Sequence, residues 1–460
     1  MTDLLIRDCV LDGHRVDVRA RSGVVFEVGS ALRRDGEALL EAGGGALLPG
    51  LHDHHLHLHA TAAALASVSC GPPDVRTRAE LTSVLREAAR TGAVRGVGYH
   101  ESVAGALGRG VLDEIVYDAP VRVQHRSGAG WFLNSAAIAA IGLDAVRDDA
   151  VERDAEDRPT GQLWRGDHLL RSLDAAWPDL APVGHQLAQA GVTGVTDATP
   201  GLSSAALTDL RGAARDGRIP QRLLLLGAPL DDPGDDVGPW KVVLDEFTGL
   251  ELDALVDVVE TCSNAGRSVA IHAVTRAEAV VAVTALREAH ARGARVEHGG
   301  VLPPDLDDDL RELGVAVVTQ PHFVVDRGES YLREVDPADV AHLYRCATLL
   351  EAGVAVAAGS DAPYGRADPW HAIAAAVTRT TSTGQTVGAQ ERLSAMRALQ
   401  LFLGDARLPG GPARQVKPRQ PADLCLLDCP LDVALAAPSR DHVRATVVAG
   451  QVVFDRSDGC

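Results

Sequence analysis

The chain has 460 residues, 46% of them hydrophobic, and a formal net charge of −19. That length suffices for a large core and more than one domain. The acidic balance argues against a nucleic-acid-binding surface, and no stretch approaches the roughly 18 uninterrupted apolar residues of a membrane helix. The opening, MTDLLIRDCVLDGHRVDVR, is charged throughout and lacks the apolar core of a secretory signal. Seven cysteines (Cys9, Cys70, Cys262, Cys346, Cys425, Cys429 and Cys460) are odd in number and scattered, which points to reduced thiols and a cytoplasmic location. Cys425 and Cys429, in or beside a strand-like run, read as packing residues. Of the 44 Lys and Arg residues only Lys241 and Lys417 are lysine. A position that stays Lys in so Arg-rich a chain needs an amine that guanidinium cannot supply.

In chain order, residues 4–28 read as short strands with turns. Gly43–Gly45 lacks the ending of a phosphate loop and reads as a turn. Residues 49–59, PGLHDHHLHLH, place His55 and His57 one residue apart behind the apolar run 46–48. At a strand end, side chains two apart share a face, so two imidazoles can share one metal ion. The alternative for this stretch is a His-rich surface loop. Residues 70–185 break the pattern, with strand-like runs at 94–100 and 121–125 and a helix near 135–141, and read as an inserted cap.

From residue 190 apolar runs alternate with helical patterns. The strand-like runs are 191–198, 222–229, 240–245, 268–274, 295–299, 315–321 and 354–361. With the run leading into His55 they make eight, the signature of an α/β fold with a parallel sheet covered on both faces. The expected architecture is a (β/α)8 TIM-type barrel, 49–412, whose chemistry sits at the C-terminal ends of the strands. Residues 1–48 and 413–460 are expected to pair into one small composite β-domain.

Read at the strand ends, the chemistry-bearing residues are His55 and His57, then Lys241, His272, His298 and Asp361. Each alone has an ordinary reading, a hydrogen-bonded core histidine or a turn aspartate. Together they bring imidazoles, a carboxylate and a rare lysine to one layer.

The segments PGLHDHHLHL (49–58), WKVVLDE (240–246), VAIHAV (269–274), RVEHGG (295–300), TQPHF (319–323) and GSDAPYGRADPW (359–370) resemble the amidohydrolase superfamily. So does the tail, PADLCLLD (421–428) with ATVVAGQVVF (445–454). The likeness is to the amidohydrolase-3 branch, which includes N-substituted formamide deformylases, and it covers nearly the whole chain. It implies a metal-dependent hydrolase of an amide-type C–N bond, N-acyl, N-formyl or cyclic, in a small molecule. His55, His57 and Asp361 are implied to hold one divalent metal and His272 and His298 a second. Lys241, carboxylated by CO2, is implied to bridge them. The implied metal is zinc, with Mn, Fe and Co equally compatible with imidazole and carboxylate donors. The implied mechanism is attack by a metal-bridging hydroxide, with Asp361 as general base and then acid. Asp53 reads as a supporting group rather than a ligand, and His52, His54 and His59 have no assigned role.

The cap segment HRSGAGWFLNS (125–135) departs from relatives that carry Gly-His before Asn-Ser, since Gly128 is followed by Ala129. His125, Trp131, Trp164, Arg165, His322 and Tyr364 are the candidate substrate contacts. Two competing functions are a mononuclear deaminase of a heterocycle and a non-catalytic barrel scaffold. The first is disfavoured because Thr275 and Val301, not glutamates, stand three residues after His272 and His298. The second is disfavoured because the ligand set is complete. The expected partners are a small-molecule substrate and at most further copies of the chain, with neither nucleic acid nor membrane.

Overall fold

The structure is a computed structural model that describes residues 3–72, 74–173, 177–246 and 249–459; Cys460 lies outside them. The chain divides into two compact units, one made of Met1–Leu58 with Leu180–Cys460 and the other of His59–Asp179.

The first unit is α/β. Its eight parallel strands are β1 (Leu51–Leu56), β2 (Val192–Asp197), β3 (Arg222–Leu225), β4 (Trp240–Val243), β5 (Val269–Ala273), β6 (Arg295–His298), β7 (Ala316–Thr319) and β8 (Ala355–Ala358). They form two sheets, of order β3-β2-β1 and β4-β5-β6-β7-β8. At one join Lys241 N donates to Leu226 O at 3.1 Å; at the other Asp361 N donates to His55 O at 2.7 Å. Helices follow the strands, among them Ser204–Asp216, Leu252–Asn264, Arg276–Glu288 and Pro369–Thr378. Every residue of β1, β2, β6 and β7 is buried. Strands covered on both faces usually read as apolar runs; β7 (AVVT) does, while β1 (LHDHHL) and β6 (RVEH) bury mostly polar side chains.

The two ends of the chain build a mixed sheet and an antiparallel sheet beside these strands. Val24–Gly29, His14–Arg21 and Leu4–Leu11 are joined by Ala38–Glu41. Gln451–Asp455, Val443–Val448 and Leu424–Leu427 are joined by Leu47–Pro49, two residues before β1 begins. Leu4, Ile6, Val18, Leu40, Leu47, Leu424, Leu426, Ala445 and Val447 share one core cluster, so residues from both ends of the sequence exclude water from the same space. Cys9, Cys70, Cys262, Cys346 and Cys425 are buried thiols; Cys429 is only partly buried.

The second unit carries a six-stranded sheet in the order Val151–Arg153, Pro159–Trp164, Gly130–Leu133, Val121–His125, Val94–Tyr99 and Val68–Ser69. Its helix Ser135–Ile141 starts at Asn134, whose side chain caps it by accepting from Ala137 N at 2.9 Å. No helix among the described residues is long and apolar enough to cross a membrane.

The shared core of the two chain ends yields a first prediction. Leu426→Ala, at a fully buried position in that cluster, should cost about 2–5 kcal/mol. Ile6→Ala, 420 residues away in sequence but in the same cluster, should cost a similar amount, both read from denaturant midpoints.

Candidate metal centre

β1 ends in the candidate centre. Alternation along the strand separates its histidines. His52 and His54 share one face, where His52 Nε2 meets Thr196 Oγ1 at 2.9 Å. His55 and His57 share the other, and their Nε2 atoms lie 3.5 and 3.3 Å from Asp361 Oδ1. The ligand atoms of His55, His57 and Asp361 all fall within 4.8 Å of one another. His298 joins the group, with Nδ1 3.9 Å from Asp361 Oδ2 and its ring 4.7 Å from that of His55. The His272 ring lies 4.5 Å from that of His298. Lys241 enters from β4, two positions below the level of His272, since Lys241 pairs with Ala270 and Val243 with His272.

The electrostatics of this group suit cation binding. Burial holds His55 and His298 neutral, well below the usual imidazole range, and a neutral ring is the form that ligates metal. Burial also brings the Lys241 amine down to about 8. His55 Nε2, Asp361 Oδ1 and Lys241 Nζ are buried without a hydrogen-bond partner. A buried polar atom left unmatched costs about 1–3 kcal/mol. Two ring nitrogens facing one carboxylate oxygen, beside an unmatched amine, make a donor set that a divalent cation would satisfy. The residues present therefore fit a metal.

Several supporting residues were not singled out by sequence. Glu297, fully buried, hydrogen-bonds His55 Nδ1, which directs Nε2 of that ring toward Asp361. Arg295 Nε donates to Glu297 at 2.7 Å, and its Nη2 donates to His54 O at 2.7 Å. Gln320 Oε1 lies 2.9 Å from His298 Nδ1. Strict alternation would send Glu297 and His298 to opposite faces, yet both reach the same group. The pattern breaks at His298, whose φ of 71° lies in the left-handed region.

Asp361 is also left-handed, with φ 50°, and the preceding peptide is gripped from both sides. Ser360 N donates to Asp53 Oδ1 at 2.9 Å, and Asp53 Oδ1 also accepts from His55 N at 3.2 Å. His322, fully buried, places Nε2 3.1 Å from Ser360 O. Gly359 and Gly365 make the close approach achievable. A Cβ at Gly359 would collide with the backbone of His55, and one at Gly365 with His322 Nε2 and Ser360 O.

Of the candidate substrate contacts, Tyr364 meets the His57 ring edge-on at 5.8 Å. His322 lies in the first unit, fully buried with Nε2 on Ser360 O, and the other four belong to the second unit. His125 bonds Ser127 Oγ at 2.7 Å and Glu101 Oε2 at 3.3 Å. Trp131 is 3% exposed and donates from Nε1 to Asp167. Trp164 is 53% exposed. Arg165 is left-handed and its N–H donates to Ala129 O at 2.7 Å.

The chain is similar over most of its length to known proteins. The model of the amidohydrolase family matches residues 38–454. An N-substituted formamide deformylase from Arthrobacter pascens is 26% identical, with 95% of this chain and 93% of that protein aligned. The putative amidohydrolase YtcJ of Bacillus subtilis is 23% identical over 90% of each chain. Among solved structures, an uncharacterised metal-dependent hydrolase from Pyrococcus horikoshii superposes with a TM-score of 0.75 at 19% identity, covering 93% of this chain and 97% of its own. N-isopropylammelide isopropylaminohydrolase from Burkholderia multivorans superposes with a TM-score of 0.57 at 18% identity over 99% of each chain.

The packing at Gly359 can be tested directly. Gly359→Ala should destabilise the chain by about 1–3 kcal/mol through overpacking against His55, read as a lowered unfolding midpoint, whereas Gly110→Ala, where a Cβ meets nothing within 4 Å and the backbone is not left-handed, should leave the midpoint unlowered.

Proposed function

The chain belongs to the amidohydrolase family, and on that premise we propose that it hydrolyses an amide-type C–N bond of a small molecule, N-acyl, N-formyl or cyclic, with a binuclear metal centre. The observation that carries this reading is the convergence of His55 Nε2 and His57 Nε2 on Asp361 Oδ1, next to the unmatched Lys241 amine. In this reading the eight parallel strands close into a (β/α)8 barrel, supported by the hydrogen bonds at both joins. His55, His57 and Asp361 would hold one metal, zinc by preference, and His272 and His298 a second. Lys241, carboxylated, would bridge them. A lysine amine brought down to about 8 by burial has a substantial neutral fraction near neutral pH, and only the neutral amine takes up CO2.

When bound, the cations supply Lewis acidity and lower the pKa of water toward about 7. The protein does the rest. Asp361 turns Oδ1 toward the imidazoles, which leaves Oδ2 to take a proton from the attacking water and return it to the leaving nitrogen. Glu297 keeps His55 in one tautomer, and Gln320 does the same for His298. Asp53 and His322 hold the Ser360 peptide so that the Asp361 carboxylate stays aimed. Tyr364 is placed to touch substrate. In the unit His59–Asp179, the exposure of Trp164 suits substrate contact better than the packed setting of Trp131 does, and His125 and Arg165 are that unit's other proposed contacts, while the burial of His322 on Ser360 O suits a positioning role instead.

Deamination of a heterocycle on the same scaffold is the competing chemistry. The position where a deaminase glutamate would follow His272 is Thr275, which caps the helix Arg276–Glu288. Glu297 is committed to His55 and Arg295.

A screen of the metal-loaded chain over N-formyl, N-acyl and cyclic amides, esters and lactones should find turnover among the amides. Ammonia release from an aminopurine or aminopyrimidine, with every amide inert, would reverse the assignment. Lys241→Arg should lose the second metal equivalent by elemental analysis. Its activity should fall by more than the about 10–100-fold that removing an outer partner costs. Glu297→Gln should weaken metal retention against a chelator by about 10–100-fold while the fold persists.

A further inference from the structure

A second group of metal-ligating side chains lies in the C-terminal sheet, apart from the centre described above. Asp428 and Cys429 follow the strand Leu424–Leu427, and His442 precedes its antiparallel neighbour Val443–Val448. Between them the chain leaves the sheet through the helix Leu431–Ala436 and returns. Both flanks of this excursion are anchored by backbone. Asp428 N donates to His442 O at 2.9 Å, and Ala46 N donates to Cys429 O at 3.0 Å.

Two donor–donor edges, both meeting at His442, have the spacing of a coordination sphere. Cys429 Sγ lies 3.5 Å from His442 Nδ1, and Asp428 Oδ1 lies 3.5 Å from the same nitrogen. All three ligand atoms fall within 4.8 Å of one another. Tetrahedral bonds of about 2.0–2.3 Å, the values for zinc with nitrogen, oxygen and sulfur, give donor–donor edges of about 3.3–3.8 Å. The other carboxylate oxygen, Asp428 Oδ2, accepts from Arg456 Nη2 at 2.6 Å. That bond orients the carboxylate and leaves Oδ1 for a ligand.

We propose that Asp428, Cys429 and His442 form a site for one thiophilic divalent cation of the Zn2+ and Cd2+ class, which clips the base of the 430–441 excursion. A thiolate and a carboxylate balance the charge of such an ion, and a soft sulfur donor selects it over Mg2+ or Ca2+. Three protein donors leave a fourth position for water. On binding, the Cys429 thiol gives its proton to solvent and the cation takes its place. The same trio is a poor nucleophilic triad, because burial and the neighbouring Asp428 push the Cys429 thiol up and away from thiolate.

The test is Cd2+ titration of the chelator-treated full-length chain, followed by the ultraviolet sulfur-to-cadmium charge-transfer band. The hydrolytic centre contains no cysteine, so its metals are silent in this band. The expected result is one Cd2+ per chain on the thiolate band. Cys429→Ser should abolish it, His442→Ala should weaken binding by at least about tenfold, and Cys460→Ser should leave it intact. Circular dichroism of the metal-free variants separates loss of a ligand from loss of fold, and His442→Ala carries the test if Cys429→Ser does not fold. Absence of the band in the unsubstituted chain, its survival in Cys429→Ser, or undiminished affinity in His442→Ala would overturn the proposal.

Discussion

The candidate centre hangs on the seam where the segment after β8 meets β1. There Asp361 N donates to His55 O, His57 N donates to Ala362 O, and Ser360 N donates to Asp53. The first two bonds tie the backbone that carries two imidazole ligands to the backbone that carries the carboxylate. Gly359 makes the approach sterically open, and Asp361 accepts a left-handed φ to point its side chain inward. Backbone of this kind costs on the order of 1–3 kcal/mol and persists only where its surroundings over-determine it. Asp53 on one side and His322 on the other supply that determination.

Around this seam the centre is assembled from polar groups that burial makes expensive. Desolvation keeps the His55 and His298 imidazoles neutral, brings the Lys241 amine down, and pushes Asp53 up to about 6. Glu297 is tolerated in full burial because His55 and Arg295 both bond it. Three of the atoms left unmatched, His55 Nε2, Asp361 Oδ1 and Lys241 Nζ, are those that would face a cation. An account of this centre that ends at the ligands therefore omits the carboxylate, the guanidinium and the amide that fix ring orientation.

Much of this was legible in the sequence, for a physical reason. Strands such as β5, β7 and β8 are mostly apolar along their length and so were visible as runs, whereas β1 (LHDHHL) showed as a histidine cluster, and the apolar run 46–48 ahead of it pairs, at Leu47–Pro49, in the C-terminal sheet. His55, His57, His272, His298 and Asp361, at or just past strand ends, and Lys241, which opens the fourth strand-like run, could be read off in order. The strands of the two chain ends were visible as strand-like segments flanking the alternation, and they form two sheets that share one core cluster. The supporting residues were harder to see. Glu297 sits beside His298, and alternation assigns neighbours to opposite faces; only the left-handed turn at His298 brings both to one group. Its partner His55 is 242 residues away, and Asp53 and Ser360 are 307 apart. His322 stood out as a histidine beside the site, but its bond to Ser360 O depends on packing that no local pattern records. Gln320, two residues earlier, has an amide that announces nothing until His298 is placed against it.

The claim that a cation joins His55, His57 and Asp361 is tested most directly by anomalous diffraction at the zinc edge, on crystals of the full chain grown with Zn2+. The account predicts a peak lying about 2.0–2.2 Å from His55 Nε2, His57 Nε2 and an oxygen of Asp361. A fully ordered centre with no anomalous peak among these three side chains, their nitrogens and oxygens satisfied by one another or by water, would contradict it.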